Sequence, residues 1–325
     1  MSKLASLAGG LALAALAVSA KAETLMIYTS QPVEQMTSVI ELFNKTAPDV
    51  KVELFRSGTT EIMNKLQAEL AAGAPRADVL LIADSIAMTA VKNQGLLMAY
   101  TNAPVKDLDP SQYDKDRTFF GTKLITTGIV YNTASGKPRP TSWADLLKPE
   151  AKGQVIMPSP LYSGAAVIHV GTLAAQPAFG WQYFEKLAAN GALAAKGNGS
   201  VRDAVARGEK AYGVIIEYMA YGQKAKGSPV DFVFPAEGVT AINQPVAILK
   251  AARNVPAAKK FVDFQLSRAA QEQSVEQMYF PLVKGVTPPA GYPDPATLKV
   301  IDADPNLLLK TDEETKRKFA EIFGG

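Results

Sequence analysis

Small hydroxyl residues recur where predicted strands give way to predicted helices. In a parallel α/β sheet these turns gather at the carboxyl ends of the strands, where helix N-termini present free N–H groups and partial positive charge. Ser and Thr hydroxyls add donors, so the pattern predicts an anion site for phosphate, phosphonate or carboxylate. Helix capping alone also explains each turn, and the residues leave both interpretations open. The turns supply the candidate ligand contacts Thr29, Ser30, Ser57, Thr59, Thr60, Asp84, Ser163, Gly164 and Ala165.

A second candidate group follows the apolar run at residues 212–216. It consists of Glu217, Tyr218 and Tyr221. A carboxylate at the end of a strand can receive an ammonium group, and Asp84 is a second acidic candidate at a cleft edge. The two tyrosines can donate hydrogen bonds to a ligand or, when ionised, bind a hard metal ion. A surface glutamate beside an interfacial tyrosine pair is the alternative interpretation.

Composition removes several kinds of chemistry. The 325-residue chain contains no cysteine and one histidine, which excludes disulfides, thiolate metal sites and cysteine nucleophiles. That histidine, His169, lies in an apolar helical pattern that favours a core position. The sequence has no G-x-S-x-G elbow, P-loop or H-E-x-x-H motif, so we expect no catalytic residue and no cofactor. A net charge of +3, spread along the chain, does not indicate a nucleic-acid partner.

Residues 1–22 have the pattern of a cleaved secretory signal peptide. Lys3 precedes an apolar run at residues 4–18, and Ala20 and Ala22 form an A-x-A cleavage site. The run is short for a membrane-spanning helix, which needs about 20 residues. We therefore expect cleavage near Ala22 and an exported mature chain that begins near Glu23.

The remaining sequence alternates between predicted strands and helices. Short apolar runs at 24–28, 50–55 and 78–82 are each followed by a helical pattern, which favours a parallel α/β sheet. The character changes near Lys123, and further α/β units follow. We expect one lobe from residues 23–122 and 245–325 and a second lobe from residues 123–244. Two strands that cross between the lobes would form a hinge, with the ligand in the cleft between them.

Three stretches resemble a known family: LMIYTSQPVEQMTSVIELFNKTAPDVKVELFRSGTTEIMNKL, ADVLLIADSIAMTAVKNQGLLMAY and PTSWADLLKPEAKGQVIMPSPLYSGAA. The chain is similar to periplasmic substrate-binding proteins of ABC importers, in the subgroup of ferric-iron, sugar-phosphate and phosphonate binders. The resemblance implies the two-lobed type II binding-protein fold, with a two-strand hinge that closes around a ligand in the periplasm. It also implies delivery to a membrane permease with an ATPase, and we expect the receptor to be a monomer.

The resemblance constrains the ligand less than the fold. Ferric-iron members carry adjacent tyrosines and often a histidine in the first strand–helix turn, whereas this chain has Tyr218 and Tyr221 three residues apart and Pro32 in that turn. The family's Ser-Gly helix start is present at Ser163 and Gly164. Hydroxyl-rich turns, together with the two acidic candidates, suit a small zwitterionic phosphonate. A 2-aminoethylphosphonate-like organophosphonate or organophosphate is therefore the expected ligand, and ferric iron is the alternative.

Overall fold

A computed structural model describes residues 23–324 of the chain. The expected signal peptide at 1–22 lies outside the described residues. Within them, no helix is both long and apolar enough to cross a membrane.

Nine strands and ten α-helices alternate along the described chain. The strands are β1 (Glu23–Thr29), β2 (Val50–Arg56), β3 (Val79–Leu81), β4 (Phe119–Asn132), β5 (Val155–Pro158), β6 (Leu193–Ala195), β7 (Tyr212–Ile216), β8 (Val230–Val233) and β9 (Thr240–Ile248). The helices are α1 (Val33–Asn44), α2 (Thr59–Ala71), α3 (Ser85–Asn93), α4 (Gly164–Ala175), α5 (Gly180–Ala189), α6 (Asn198–Ala206), α7 (Glu217–Ala225), α8 (Val255–Gln265), α9 (Arg268–Glu276) and α10 (Pro305–Phe323).

The first half of the sheet is parallel, as the apolar runs predict. Strand β1 pairs in parallel with β2 on one side and with β3 on the other. Both faces are covered: Leu25 and Ile27 belong to a core cluster with residues of α1 and α8. Tyr28 belongs to another cluster with residues of α2 and α3. Burial on both faces explains why these strands are almost continuously apolar.

Two long strands connect this half of the sheet to the second. The 14-residue strand β4 pairs antiparallel with β9 from Phe119 to Thr127. From Thr127 onwards it pairs with β7, and from Ile129 with β8. The register between β4 and β9 shifts between Gly121 and Leu124, which marks a β-bulge. This arrangement confirms the mixed α/β fold with two connecting strands.

The second half of the sheet repeats the sandwich arrangement. Strand β5 pairs in parallel with β6 and β7. One face is covered by a cluster that contains Val201 of α6 and Tyr218 of α7. The other face is covered by a cluster that contains Val170 of α4, Phe184 of α5 and the buried Trp143.

The C-terminal helix α10 lies against both halves. It packs on α4 and α5, and it also contacts α3. Phe319 of α10 is fully buried in the same cluster as Trp143. The last helix thus packs mainly on α4 and α5, which belong to the predicted second lobe. The grouping of residues 245–325 with the first lobe stays a prediction.

Candidate functional site: a polar cavity between the two halves

A cavity of about 430 Å³ lies between the two halves of the molecule. Five helix starts contribute to its wall, those of α1, α2, α4, α6 and α7. Each start carries backbone N–H groups without intrahelical partners and a partial positive charge. The cavity is therefore built to receive negative charge.

The starts of α2 and α4 meet at very short range. A Cβ added at Gly164 would lie 2.7 Å from Asp84 Cβ and 2.8 Å from Thr59 Oγ1. A Cβ added at Gly58, the N-cap of α2, would lie 2.4 Å from the Tyr162 carbonyl oxygen. Only glycine fits at these two positions, so the sequence Ser-Gly at a helix start serves the contact between the halves as well as the cap.

Thr59 has a polar atom without a protein partner. Its side chain is buried, and Oγ1 has no hydrogen-bond partner among the described residues. A buried hydroxyl in this condition costs free energy on the order of 1–3 kcal/mol. Thr59 lines the cavity, so a ligand there could supply the missing partner.

Ser163 caps α4 and keeps its hydroxyl hydrogen available. Its Oγ accepts hydrogen bonds from Ala166 N at 3.3 Å and from Asn198 Nδ2 at 3.1 Å. Asn198 Oδ1 in turn accepts from Ile216 N at 3.2 Å. A hydroxyl that accepts twice can still donate once, and the acceptor in the cavity would be an anion.

Three cationic side chains line the cavity: Arg56, Lys196 and Arg202. The Arg56 guanidinium donates to the carbonyl oxygens of Ser30 and Gln31 and to the Tyr162 hydroxyl, at 3.2–3.4 Å. These bonds fix its plane and join the two halves. Arg202 Nε lies 2.7 Å from a carboxylate oxygen of Asp203, which also lines the cavity.

Neutral polar and aromatic groups complete the wall. Tyr218 and Tyr279 pack with their ring centroids 4.1 Å apart. Burial raises the pKa of both phenols well above the usual value, so both are protonated near neutral pH. Gln244 is buried, and its Oε1 is another atom without a partner among residues 23–324. These groups offer hydrogen bonds without adding charge.

The structure brings part of the predicted site together. The candidates that line the cavity are Ser30, Thr59, Ser163, Gly164, Ala165 and Tyr218. Those that are not part of its wall are Thr29, Ser57, Thr60, Asp84, Glu217 and Tyr221.

The hydroxyls outside the wall are committed to local hydrogen bonds. Thr29 Oγ1 accepts from Gln31 N at 3.1 Å, and the Ser57 hydroxyl donates to the Glu61 carboxylate. The Thr60 hydroxyl donates to the Pro160 carbonyl oxygen at 3.3 Å, which joins α2 to the opposite half. At these positions the structural interpretation of the turns accounts for the residue type.

The two acidic candidates also lie outside the cavity wall. Asp84 Oδ1 accepts from Ile86 N and Ala87 N, which makes Asp84 the N-cap of α3. Glu217 Oε2 accepts from the backbone N and the hydroxyl of Thr126, at 2.6 and 3.0 Å, while Oε1 has no partner among the described residues. Burial raises the pKa of Asp84 to about 7 and that of Glu217 to about 8. Their role as receptors for an ammonium group stays a prediction.

Tyr221 and Tyr218 contact different aromatic neighbours. The Tyr221 ring packs against Tyr292 at 4.3 Å and against Phe232 at 5.7 Å. Tyr218 packs against Tyr279 and lines the cavity, whereas Tyr221 is not part of its wall. Among the described residues, no three or more His, Asp or Glu side chains form a group that could hold a metal ion.

Several wall residues lacked a local sequence signal. They are Gln31, Arg56, Asn198, Arg202, Gln244 and Tyr279. Arg56 is the last residue of strand β2, one residue before a predicted turn. Including the final residue of the strand with the turn that follows it would have added Arg56 to the candidates. Gln244 and Tyr279 reach the cavity from the late part of the chain, which no spacing within the first lobe indicates.

Known proteins match this chain over most of its length. The family model described as "Bacterial extracellular solute-binding protein" matches residues 29–272 of the chain. The chain belongs to this family. The solute-binding protein is 32% identical over 228 residues to the Fe(3+)-binding periplasmic protein of Serratia marcescens. The aligned region covers 69% of this chain and 66% of that protein.

Solved structures confirm the fold of this solute-binding protein. It matches the periplasmic binding protein AfuA from Actinobacillus pleuropneumoniae, solved with exogenous fructose-6-phosphate, at 26% identity and a TM-score of 0.84, over 93% of this chain and 98% of that one. It matches iron-bound HitA from Pseudomonas aeruginosa at 22% identity and a TM-score of 0.79, over 91% and 99%. The two-lobed type II fold of a periplasmic substrate-binding protein of an ABC importer is thereby established. Such proteins work with a membrane permease and its ATPase.

Proposed function

We propose that this solute-binding protein carries a small organophosphate or organophosphonate in the cavity between its lobes. The observation that carries the proposal is the unpartnered Thr59 hydroxyl, buried where the starts of α2 and α4 meet. A phosphoryl oxygen there would accept from Thr59 and Ser163 and from the N–H groups at the start of α4. Each such charge-assisted hydrogen bond contributes roughly 1.5–3 kcal/mol.

The charges in the wall support an anionic ligand. Of the three cationic side chains that line the cavity, Lys196 pairs with Glu61 and Arg202 pairs with Asp203, whereas Arg56 has no carboxylate partner among the described residues. Arg56 is the best placed of the three, because its guanidinium is held by Ser30, Gln31 and Tyr162. A planar, pre-oriented guanidinium suits a phosphoryl group.

The remainder of the ligand would meet amides and one acid. Gln31, Asn198 and Gln244 can bind the hydroxyls of a phosphate ester. The ammonium group of 2-aminoethylphosphonate would use Asp203, since Asp84 and Glu217 are not part of the cavity wall. The relative AfuA, solved with fructose-6-phosphate, supports including sugar phosphates among the organophosphates.

Ferric iron is the second candidate, because the Serratia marcescens relative is a Fe(3+)-binding periplasmic protein. Iron would require tyrosinate ligands. Tyr218 lines the cavity, whereas Tyr221 packs against Tyr292. Tyr279 and Tyr162 also line the cavity. Burial raises the pKa of Tyr218 and Tyr279 well above the usual value, which disfavours their tyrosinate forms, and no group of three or more His, Asp or Glu side chains among the described residues could hold the metal with them. The phosphoryl ligand is therefore preferred.

Isothermal titration and thermal shift with four probes test the proposal. The probes are 2-aminoethylphosphonate, fructose 6-phosphate, inorganic phosphate and ferric citrate. We expect at least one phosphorus compound to bind and to raise the melting temperature by mass action, with no turnover of the ligand. Binding of none of the phosphorus compounds, or a coloured tyrosinate–iron complex on loading, would contradict the proposal.

The variant Arg56→Met separates specific from non-specific anion binding. It removes the guanidinium but keeps an apolar side chain of similar length, and we expect affinity for the bound phosphorus compound to fall at least tenfold. Lys152→Met is the matched control, because Lys152 is not part of the cavity wall. Equal losses in both variants would indicate general electrostatic attraction instead of a built site.

A further inference from the structure

Lys123 lies behind the cavity wall in an unusual place. It sits in the β-bulge of β4, within the two-strand connection between the lobes. It is 1% exposed and is among the largest fully buried side chains of the protein. Bulges often lie beside binding sites and redirect a side chain, and this one turns an amine into the interior.

The Lys123 amine contacts two residues of the cavity wall. Nζ donates to Gln31 Oε1 at 3.1 Å. It also lies 4.5 Å from the centroid of the Tyr279 ring. Gln31 and Tyr279 both line the cavity, so one layer of side chains separates the amine from a ligand.

The surroundings of Lys123 contain no compensating charge. Among the described residues, no carboxylate forms an ion pair with it. Tyr279 faces it, with Tyr218 packed behind that ring, and both phenols stay neutral near neutral pH. Besides burial, the negative charge of Glu217 favours a higher pKa for both phenols, whereas the positive charges of Arg56 and Arg202 favour a lower pKa for Tyr218. Burial without a charged partner among the described residues lowers the pKa of the Lys123 amine to about 7.

We propose that anion binding in the cavity is coupled to the uptake of one proton by the Lys123 amine. The inference rests on the proposed function, since it requires an anionic ligand. A negative charge one side-chain layer away stabilises the ammonium form and adds to the neutral Gln31 acceptor and the Tyr279 ring that contact the amine. The proton comes from solvent and binds to the Nζ lone pair, and it returns to solvent when the ligand leaves.

The sign of the linkage sets the expected pH dependence. The unliganded amine is largely neutral above pH 7, so binding there must take up a proton, and affinity falls as the pH rises. Below about pH 6 the amine already carries its proton, so binding takes up none. The contribution of Lys123 to affinity is therefore large in acid and small in base.

Titration calorimetry with inorganic phosphate in buffers of different ionisation enthalpy measures the coupled proton directly. At pH 8 inorganic phosphate is mostly the dianion, so a proton that is taken up on binding goes to the protein. We expect about 0.4 of a proton to be taken up per phosphate bound by the wild type at pH 8, as a tenfold coupling implies, and close to none by Lys123→Met. At pH 6 we expect Lys123→Met to bind phosphate about tenfold more weakly than the wild type, and at pH 9 nearly equally.

Glu217→Gln is the matched control, because Glu217 also has a raised pKa of about 8 and would titrate in the same range. We expect this variant to retain proton uptake. Uptake that survives in Lys123→Met and disappears in Glu217→Gln would overturn the proposal and assign the proton to the glutamate.

A ligand-independent measurement separates the two proposals. Lysine side-chain NMR of the unliganded wild type, with Lys123 assigned by its absence in Lys123→Met, should show that amine titrating near pH 7 and shifting upward with phosphate. An amine that titrates like the surface lysines overturns the coupling. Normal phosphate binding with no proton uptake overturns only the coupling, whereas absence of binding by every phosphorus compound overturns the proposed function as well.

Discussion

Thr59 and Ser163 differ from Asp84 and Glu217 in whether a polar atom is left over in the cavity wall. Thr59 Oγ1 has no partner among residues 23–324, and Ser163 keeps a donor hydrogen while it accepts two bonds. Asp84, by contrast, caps α3, and Glu217 accepts from Thr126 through Oε2. Glu217 Oε1 also has no partner among the described residues, but Glu217 is not part of the cavity wall. A ligand contact is therefore distinguished by two properties together, an uncommitted polar atom and a place in the wall, and residue type alone does not identify it.

The largest expected effect comes from closing the space between α2 and α4. In Gly164→Val the new side chain would overlap Asp84 and Thr59, where even a Cβ lies within 2.8 Å. Overpacking of this kind costs about 1–3 kcal/mol or more, so we expect phosphate-ester affinity to fall about 100-fold. Titration calorimetry measures the loss, and small-angle X-ray scattering should show more open lobes.

Gly199→Ala is the control for that substitution. Gly199 also lines the cavity, but a Cβ there meets nothing within 4 Å. We expect its affinity to stay near the wild-type value. If Gly164→Val bound as tightly as Gly199→Ala, the close approach of the two helix starts would have no part in ligand binding.

Ser163→Ala tests the cap that also faces the cavity. It removes one donor to a charged ligand, which should weaken binding by about 1–3 kcal/mol. It also removes the cap of α4, so stability should fall by about 1 kcal/mol. Ser142 caps a short 3-10 helix, Trp143–Leu147, outside the cavity wall. Ser142→Ala should therefore lower the unfolding free energy without changing affinity. Unchanged affinity in Ser163→Ala would remove this helix start from the site.

Thr59→Val and Thr29→Val should change stability in opposite directions. Thr59→Val removes a buried hydroxyl that has no partner among the described residues, so the unliganded protein should become slightly more stable while phosphate-ester affinity falls about tenfold. Thr29→Val removes the acceptor of Gln31 N, so it should lose about 1 kcal/mol of stability. Chemical unfolding and calorimetry on both variants measure the contrast. A loss of stability in Thr59→Val would show that its hydroxyl is satisfied without ligand.

The fold was more accessible to sequence reasoning than the site. Apolar runs such as residues 78–82 predict buried parallel strands, because burial on both faces demands continuous hydrophobicity. The site depends on which side chains have polar atoms left over, and that is decided by contacts distant in sequence. Glu217 meets Thr126 across 91 residues, and Lys123 meets Gln31 across 92. No local pattern encodes these pairs, so the sequence does not reveal that the two acidic candidates lie outside the cavity wall or that Lys123 is buried behind it.

The smallest effect on affinity is expected at Glu217, where the change should appear in stability instead. Burial raises the Glu217 pKa from 4.5 to about 8, so the folded state holds this proton more tightly than the unfolded state between those values. The stabilisation is complete below pH 4.5 and is lost as the pH rises to 8. Glu217→Gln cannot ionise, so its unfolding free energy should gain on the wild type by about 3–5 kcal/mol over that range.

Urea unfolding at a series of pH values measures this gain, and Asp84→Asn provides a second case with its window between pH 3.8 and about 7. Asparagine keeps the cap of α3, so the variant isolates the charge. Phosphate affinity at pH 6 should change little in either variant, because neither carboxyl group is part of the cavity wall. A large loss of affinity in Glu217→Gln, with no change in the pH dependence of stability, would return Glu217 to the ligand. The distinction between side chains in the cavity wall and side chains behind it would then fail at Glu217, whose Oε1 has no partner among the described residues.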